Sequence, residues 1–163
     1  MIILKSIGFG FASLIVGNLA SFILGTIVGL VVEPVTEKIL SEPALRKFRY
    51  AWHYAWVGFS VGMINSASVY FFKMNGWILT VIFVFYLVMF MGRRSKNFVL
   101  EEICAGDESQ LKKYLIRVEL ITFISYAIGL YGLWTVLLKC GTNMPNSSAP
   151  LFLGVLNPFA FAC

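Results

Sequence analysis

The sequence predicts an all-α protein embedded in a membrane, a single domain of four transmembrane helices in an antiparallel bundle. Three observations carry this. Hydrophobic residues make up 59% of the chain and charged residues 13%, about half the charged share of a soluble domain, which excludes a water-soluble globular fold. Uncharged stretches recur near the length of about 20 residues that crosses roughly 30 Å of hydrocarbon. Basic residues collect between alternate stretches rather than evenly along the chain.

The first stretch, 7–32, holds no charge at all. It is about twice as long as the apolar core of a signal peptide and is read as a retained span. The second, 51–72, is also free of formal charge but carries His53 near its start and Asn65 near its middle. The third, 76–92, is rich in Phe, Val and Ile and sits at the lower limit for a crossing. The fourth, 118–138, has one acid, Glu119, in its first turn. Backbone polar groups in lipid must be satisfied internally, and uninterrupted runs of this length achieve that as helices.

The connections predict their own local structure. Pro34 follows the first span, and Ser41, Glu42 and Pro43 suit the start of a helix near Glu42, since serine caps and proline fits the first turn. Only Lys73, Met74 and Asn75 separate the second and third spans, which predicts a tight hairpin with the Lys73 head reaching toward lipid headgroups. The segment 93–117 opens with basic residues and predicts a short helix from Asn97 to Cys104 that ends at Gly106. Asp107, three residues before Gln110, resembles a capping pair for the helix that enters the fourth span.

Four crossings place 33–50 and 93–117 on one side. That side carries Lys38, Arg46, Lys47, Arg49, Arg93, Arg94, Lys96, Lys112, Lys113 and Arg117, against Lys5, Lys73 and Lys139 on the other. The positive-inside rule then puts both loops inside and both termini, with the tail 139–163, outside. The compartment stays open, an organellar inner membrane and a bacterial cytoplasmic membrane both being compatible. Because the basic residues hug span boundaries, the net charge of +5 reads as a topology signal and not as a nucleic-acid footprint. Tyr50, Trp52, Tyr54, Trp56, Trp77, Tyr131 and Trp134 cluster near span ends, where rings with a polar tip favour the headgroup boundary.

Small residues give the clearest packing signal. Ser13, Gly17, Ser21, Gly25 and Gly29 follow one another at four-residue intervals in the first span, and Gly58, Gly62 and Ser66 do so in the second. Helices in lipid associate by close packing more than by hydrophobic force, so such stripes predict helix contacts. The first and second helices are expected to pack on each other, or one of them on another protein, while the bulky third span faces lipid.

Polar residues at depth are few. Asn18 and Asn65 are expected to hydrogen-bond between helices, with a substrate or ion path as the alternative. His53, the chain's only histidine, reads as a headgroup-level residue, because no second ligand at metal spacing accompanies it. Glu119 is expected at the boundary as a partner of Arg117, Arg93 or Arg94. Cys140 and Cys163 share the outer side and would close a loop if bridged, two free thiols being the simpler reading. Asn146 and Ser148 form an N-x-S sequon, meaningful only in a eukaryotic secretory membrane.

No catalytic, cofactor-binding or metal-binding motif stands out. The expectation is a small non-catalytic accessory or assembly subunit of a larger membrane complex. Its partners would be other integral membrane subunits, the bilayer and possible bound lipids, with no nucleic acid. The alternative is a small homo-oligomeric channel or carrier with Asn18 and Asn65 lining a path.

Overall fold

A computed structural model describes residues 2–89, 96–104 and 106–140, the side chain of Cys140 excepted. The predicted end of the third span, Arg93 and Arg94, the Asn146 sequon, the rest of the tail and any Cys140–Cys163 bridge lie outside the described residues. Every regular element among those residues is helical: α1 (Ile2–Ile39), α2 (Glu42–Phe72), α3 (Gly76–Tyr86), a short α4 (Lys96–Phe98) continued by a wide π-turn over Val99–Ile103, and α5 (Glu108–Cys140).

Three of these helices, α1, α2 and α5, are long and apolar enough to cross a membrane. The third apolar segment is shorter, a helix over Gly76–Met89, about 20 Å at 1.5 Å per residue.

Local chemistry explains the helix ends. Ser41, extended at φ −65° and ψ 155°, precedes α2, and Pro43 occupies its first turn, where a missing N–H costs nothing. Lys73 ends α2 in the left-handed region at φ 54°, and Asn75 starts α3 by accepting from Trp77 N (3.0 Å) and Ile78 N (3.3 Å). The hairpin is pinned to the start of α1, since Asn75 N donates to Ser6 Oγ at 2.9 Å. Gly106 takes φ +82° after the π-turn, a conformation that suits glycine. Asp107 then caps α5: its Oδ1 accepts from Ser109 N (2.9 Å) and its Oδ2 from Gln110 Nε2 (2.9 Å). The Ser109 hydroxyl, which donates to Oδ1 at 2.7 Å, and the backbone amides of Gln110 and Ser109 hold the Asp107 carboxyl below the usual aspartate range.

Pro34 does not end α1, which runs on to Ile39. Arg49 ties down the turn around it by pairing with Glu33 (2.7 Å) and Glu37 (2.8 Å), one on each side of the proline.

Contacts give each helix its direction. Residue numbers rise together from Gly58–Thr122 to Gly62–Tyr126 and Tyr70–Trp134, so α2 and α5 run parallel. They run oppositely from Gly25–Trp56 to Gly17–Val61 and Phe9–Phe72, so α1 and α2 are antiparallel. From Ser6–Asn75 to Gly10–Ile82 and Asn18–Tyr86, α1 and α3 are parallel. Despite the tight hairpin, α3 packs more extensively on α1 than on α2. The hub is α2: half of its most apolar stretch is buried, against 22% for α5 and 11% for α1.

Candidate functional site: the helix interfaces and a groove along the first helix

Among the described glycines, the tightest approaches join α2 to α5. A Cβ added at Gly58 would collide with the carbonyl oxygen of Thr122, and one at Gly62 with the carbonyl oxygen of Tyr126 while lying 2.9 Å from Leu130 N. The approach is reciprocal, since a Cβ at Gly129 would strike the carbonyl oxygen of Phe59 and come within 3.2 Å of Met63 N. Backbone therefore touches backbone on both sides, the geometry in which Cα–H groups contact carbonyl oxygens across an interface. Ser66, next in the α2 stripe, is buried as well.

The α1 stripe behaves differently. Gly17 meets the Val61 side chain, with Val61 Cα 3.2 Å from its ideal Cβ. Ser13 and Ser21 are buried and return their hydroxyls to the carbonyls of Gly10 and Asn18 (2.8 and 2.7 Å). Gly25 lies at ordinary contact distance from Trp56 (3.4 Å), and nothing stands within 4 Å of a Cβ at Gly29. The reason is geometric: a four-residue step turns about 40° beyond a full circle, so the stripe winds about 160° around α1 between Ser13 and Gly29. The small residues that α1 does bury are Ser6, Gly10, Ser13, Gly17 and Ser21. Their mixed spacing of four and three residues keeps them on one face.

Asn65 sits in a buried junction of three helices. Its Nδ2 donates to Tyr126 Oη at 3.2 Å, and Tyr126 Oη shares a 3.0 Å hydrogen bond with Thr80 Oγ1. All three residues are at most 6% exposed, and the Phe83 and Tyr126 rings stack beside them with centroids 4.1 Å apart. Asn65 Oδ1, Ser60 Oγ and Ser66 Oγ are buried without a hydrogen-bond partner among the described residues. Asn18 lies in a separate interface: its Nδ2 donates to Leu14 O (2.7 Å), and Tyr86 Oη donates to its Oδ1 (3.2 Å).

One face of α1 lines a long open groove. Between α1 and α3 it encloses about 840 Å³, walled by Phe11, Ile15, Leu19, Phe85 and Met89 among others. Toward the basic end it meets a second recess of about 290 Å³, floored by Gly25 and Gly29 and bordered by Glu33, Arg49 and Trp52. His53 and Phe22 line both. The exposed His53 ring packs on the edge of Tyr54, 5.4 Å between centroids.

The basic end carries its own small core of Val99, Ile103, Cys104, Leu111 and Leu115, against which Tyr50 and Tyr114 pack. Tyr114 Oη donates to Lys47 O at 2.7 Å, and burial pushes its phenol upward from the usual value, with Cys104 adding to the shift. Glu119 is half-buried and forms no ion pair among the described residues.

Sequence reasoning missed Gly129, Gly10, Thr80 and Tyr126. Ser125 and Gly129 stand four residues apart in the fourth span, which is the same spacing signal that singled out Gly58 and Gly62. Nothing local marks Tyr126 as the partner of Asn65. No group of three or more His, Cys, Asp or Glu side chains that could hold a metal ion occurs among the described residues. No protein-family model, curated protein or solved structure matches this chain.

Proposed function

We propose that the chain crosses the membrane four times as an antiparallel bundle, with its basic loops inside and its termini outside, and serves as a non-catalytic accessory or assembly subunit of a larger membrane complex. The observation that carries this reading is how the polar residues at depth are used. Asn65, Thr80 and Tyr126 bond to one another across three helices, and Asn18 bonds to its own helix and to Tyr86. Side chains committed in this way hold helices together, and the two asparagines stand in separate interfaces instead of along one path. This favours a packing role over the channel or carrier alternative.

The crossing pattern is supported by the helix directions: α1 and α3 point one way, α2 and α5 the other. The ties of Arg49 to Glu33 and Glu37, of Arg46 to Glu102 and of Lys47 to Gln110 all gather at one end. A surface for neighbouring subunits is available on the outer face of α1, where Val16, Ile23 and Ile27 are all more than half exposed, turned away from both α2 and the groove.

Extraction in mild detergent followed by native mass measurement tests the reading. The expected result is co-migration with other membrane proteins and loss of that assembly when Ile23 and Ile27 are replaced by serine. A free 18.3 kDa monomer that retains full cellular function would overturn it. Ion or solute flux through vesicles holding the purified chain alone would favour the channel.

A further inference from the structure

We propose that the groove along α1 is a binding site for one phospholipid of the basic-side leaflet, with a zwitterionic, amine-bearing headgroup. The inference rests on the chain's being embedded in a bilayer and not on its having protein partners.

The occupant follows from how the two recesses are arranged. The wider one, between α1 and α3, is walled almost wholly by apolar side chains, with Ile15, Leu19 and Phe22 each about two-thirds exposed into it. It leads past Phe22 and His53 into the narrower recess at the basic end. From Phe22 to Glu33 the α1 axis rises about 16 Å, close to half of a hydrocarbon core of roughly 30 Å. That rise is about the depth of one leaflet, and the wider recess joins the narrower one within it, at Phe22 and His53. A chain entering from the basic side meets charged groups only at the top; Asn18 and Tyr86, which line the wider recess, are bonded to each other.

Those polar groups carry both signs of charge. Arg49 is held by Glu33 through Nε and by Glu37 through Nη2, which leaves Nη1 and the remaining carboxylate oxygens to outside partners. A phosphate suits the guanidinium, and a primary amine suits the two carboxylates that flank it. An anionic headgroup without an amine would meet two carboxylates against one arginine. Trp52 and His53 follow Arg49 by about one helical turn on α2, and among the described residues His53 makes no hydrogen bond. The floor at Gly29 is bare because the small-residue stripe has wound off α2 there, and among the described residues nothing fills the space a side chain would take.

Gly29 and Gly132 provide a matched pair of tests. Among the described residues both accept a Cβ without meeting any atom within 4 Å, so leucine at either place starts into open space, and only Gly29 faces the groove. The full chain is incorporated into nanodiscs of mixed phosphatidylethanolamine, phosphatidylcholine and phosphatidylglycerol, released, and its retained lipid read by native mass spectrometry. The wild-type chain and Gly132→Leu are expected to keep one phospholipid, enriched in phosphatidylethanolamine. Gly29→Leu is expected to lower that occupancy about tenfold, with unchanged helix content. Arg49→Gln is expected to abolish the headgroup preference. Equal retention by the Gly29→Leu and Gly132→Leu variants would overturn the site, and enrichment of phosphatidylglycerol instead would overturn the headgroup assignment.

Discussion

The α2–α5 contact and the α1–α2 contact draw on the same residue types and reach different closeness. Where α2 meets α5, glycines stand on both helices and each lies against a carbonyl of the other, so main chain meets main chain. Where α1 meets α2, the glycine is on one side only, and Gly17 is filled by the Val61 side chain. The difference teaches that the length of a small-residue stripe does not set how close two helices come. What sets it is whether the partner is also bare at the same level and whether the stripe stays on one face.

Substitutions can break this comparison in order of expected effect. Gly58→Leu places a side chain against the Thr122 backbone, which cannot move aside without shifting α5. It is expected to cost about 3 kcal/mol or more, read as loss of monodisperse protein in detergent. Gly17→Leu presses on a methyl group of Val61, with the Cα and N of that residue next at 3.2 Å and no carbonyl oxygen among these nearest atoms. A smaller penalty of about 1–3 kcal/mol is expected, seen as a lower thermal midpoint with the protein still recoverable. Were Gly17→Leu the more damaging of the two, the ranking of the interfaces would be reversed.

Tyr126→Phe keeps the stacked ring and removes the hydroxyl shared by Asn65 and Thr80. The expected loss is about 1–2 kcal/mol, because a buried carboxamide is left without its partner. Adding Asn65→Ala to that variant should cost less than the two single changes summed, since they act through one bond.

The smallest effect concerns the start of α5 and is read through pH. The Asp107 carboxyl sits below its ordinary value because Ser109 and Gln110 donate to it. Its contribution is therefore complete above the unfolded aspartate value, near pH 4, and is lost as pH falls through the lower folded value. Hydrogen exchange should show the amides of Ser109 and Gln110 losing protection, relative to the rest of α5, on acidification below that range. Asp107→Asn should blunt this dependence.

Much of the fold is legible in the sequence, for local reasons. Pro43, Asn75, and Asp107 with Gln110 mark helix starts through chemistry acting over three or four residues, and a helix begins next to each; Ser41 stands at the cap position of α2 but its side chain makes no capping bond. Gly106 marks a stop for the same kind of reason. Pro34 lies inside α1, and Arg49 on another helix pairs with the acids on either side of it. The pairing of helices is less legible. A four-residue repeat precesses, so Gly29 leaves the face that Gly17 shares with α2, while Ser6 and Gly10, outside the repeat, are buried against the hairpin and α3. Hairpin length gave no guide to the neighbour of α3, which leans on α1. Asn65 was recognisable as a polar residue at depth, whereas its partners Tyr126 and Thr80 are brought to it only by the parallel approach of α5 and the return of α3.

The decisive measurement compares the thermal unfolding midpoints of Gly62→Leu and Gly29→Leu in one detergent. Backbone contact between α2 and α5 predicts a collapse of the first, since the new side chain must displace the main chain at Tyr126 and Leu130, and a midpoint within error of the parent for the second. Equal midpoints, or a greater loss at Gly29, would contradict a molecule organised around the α2–α5 contact.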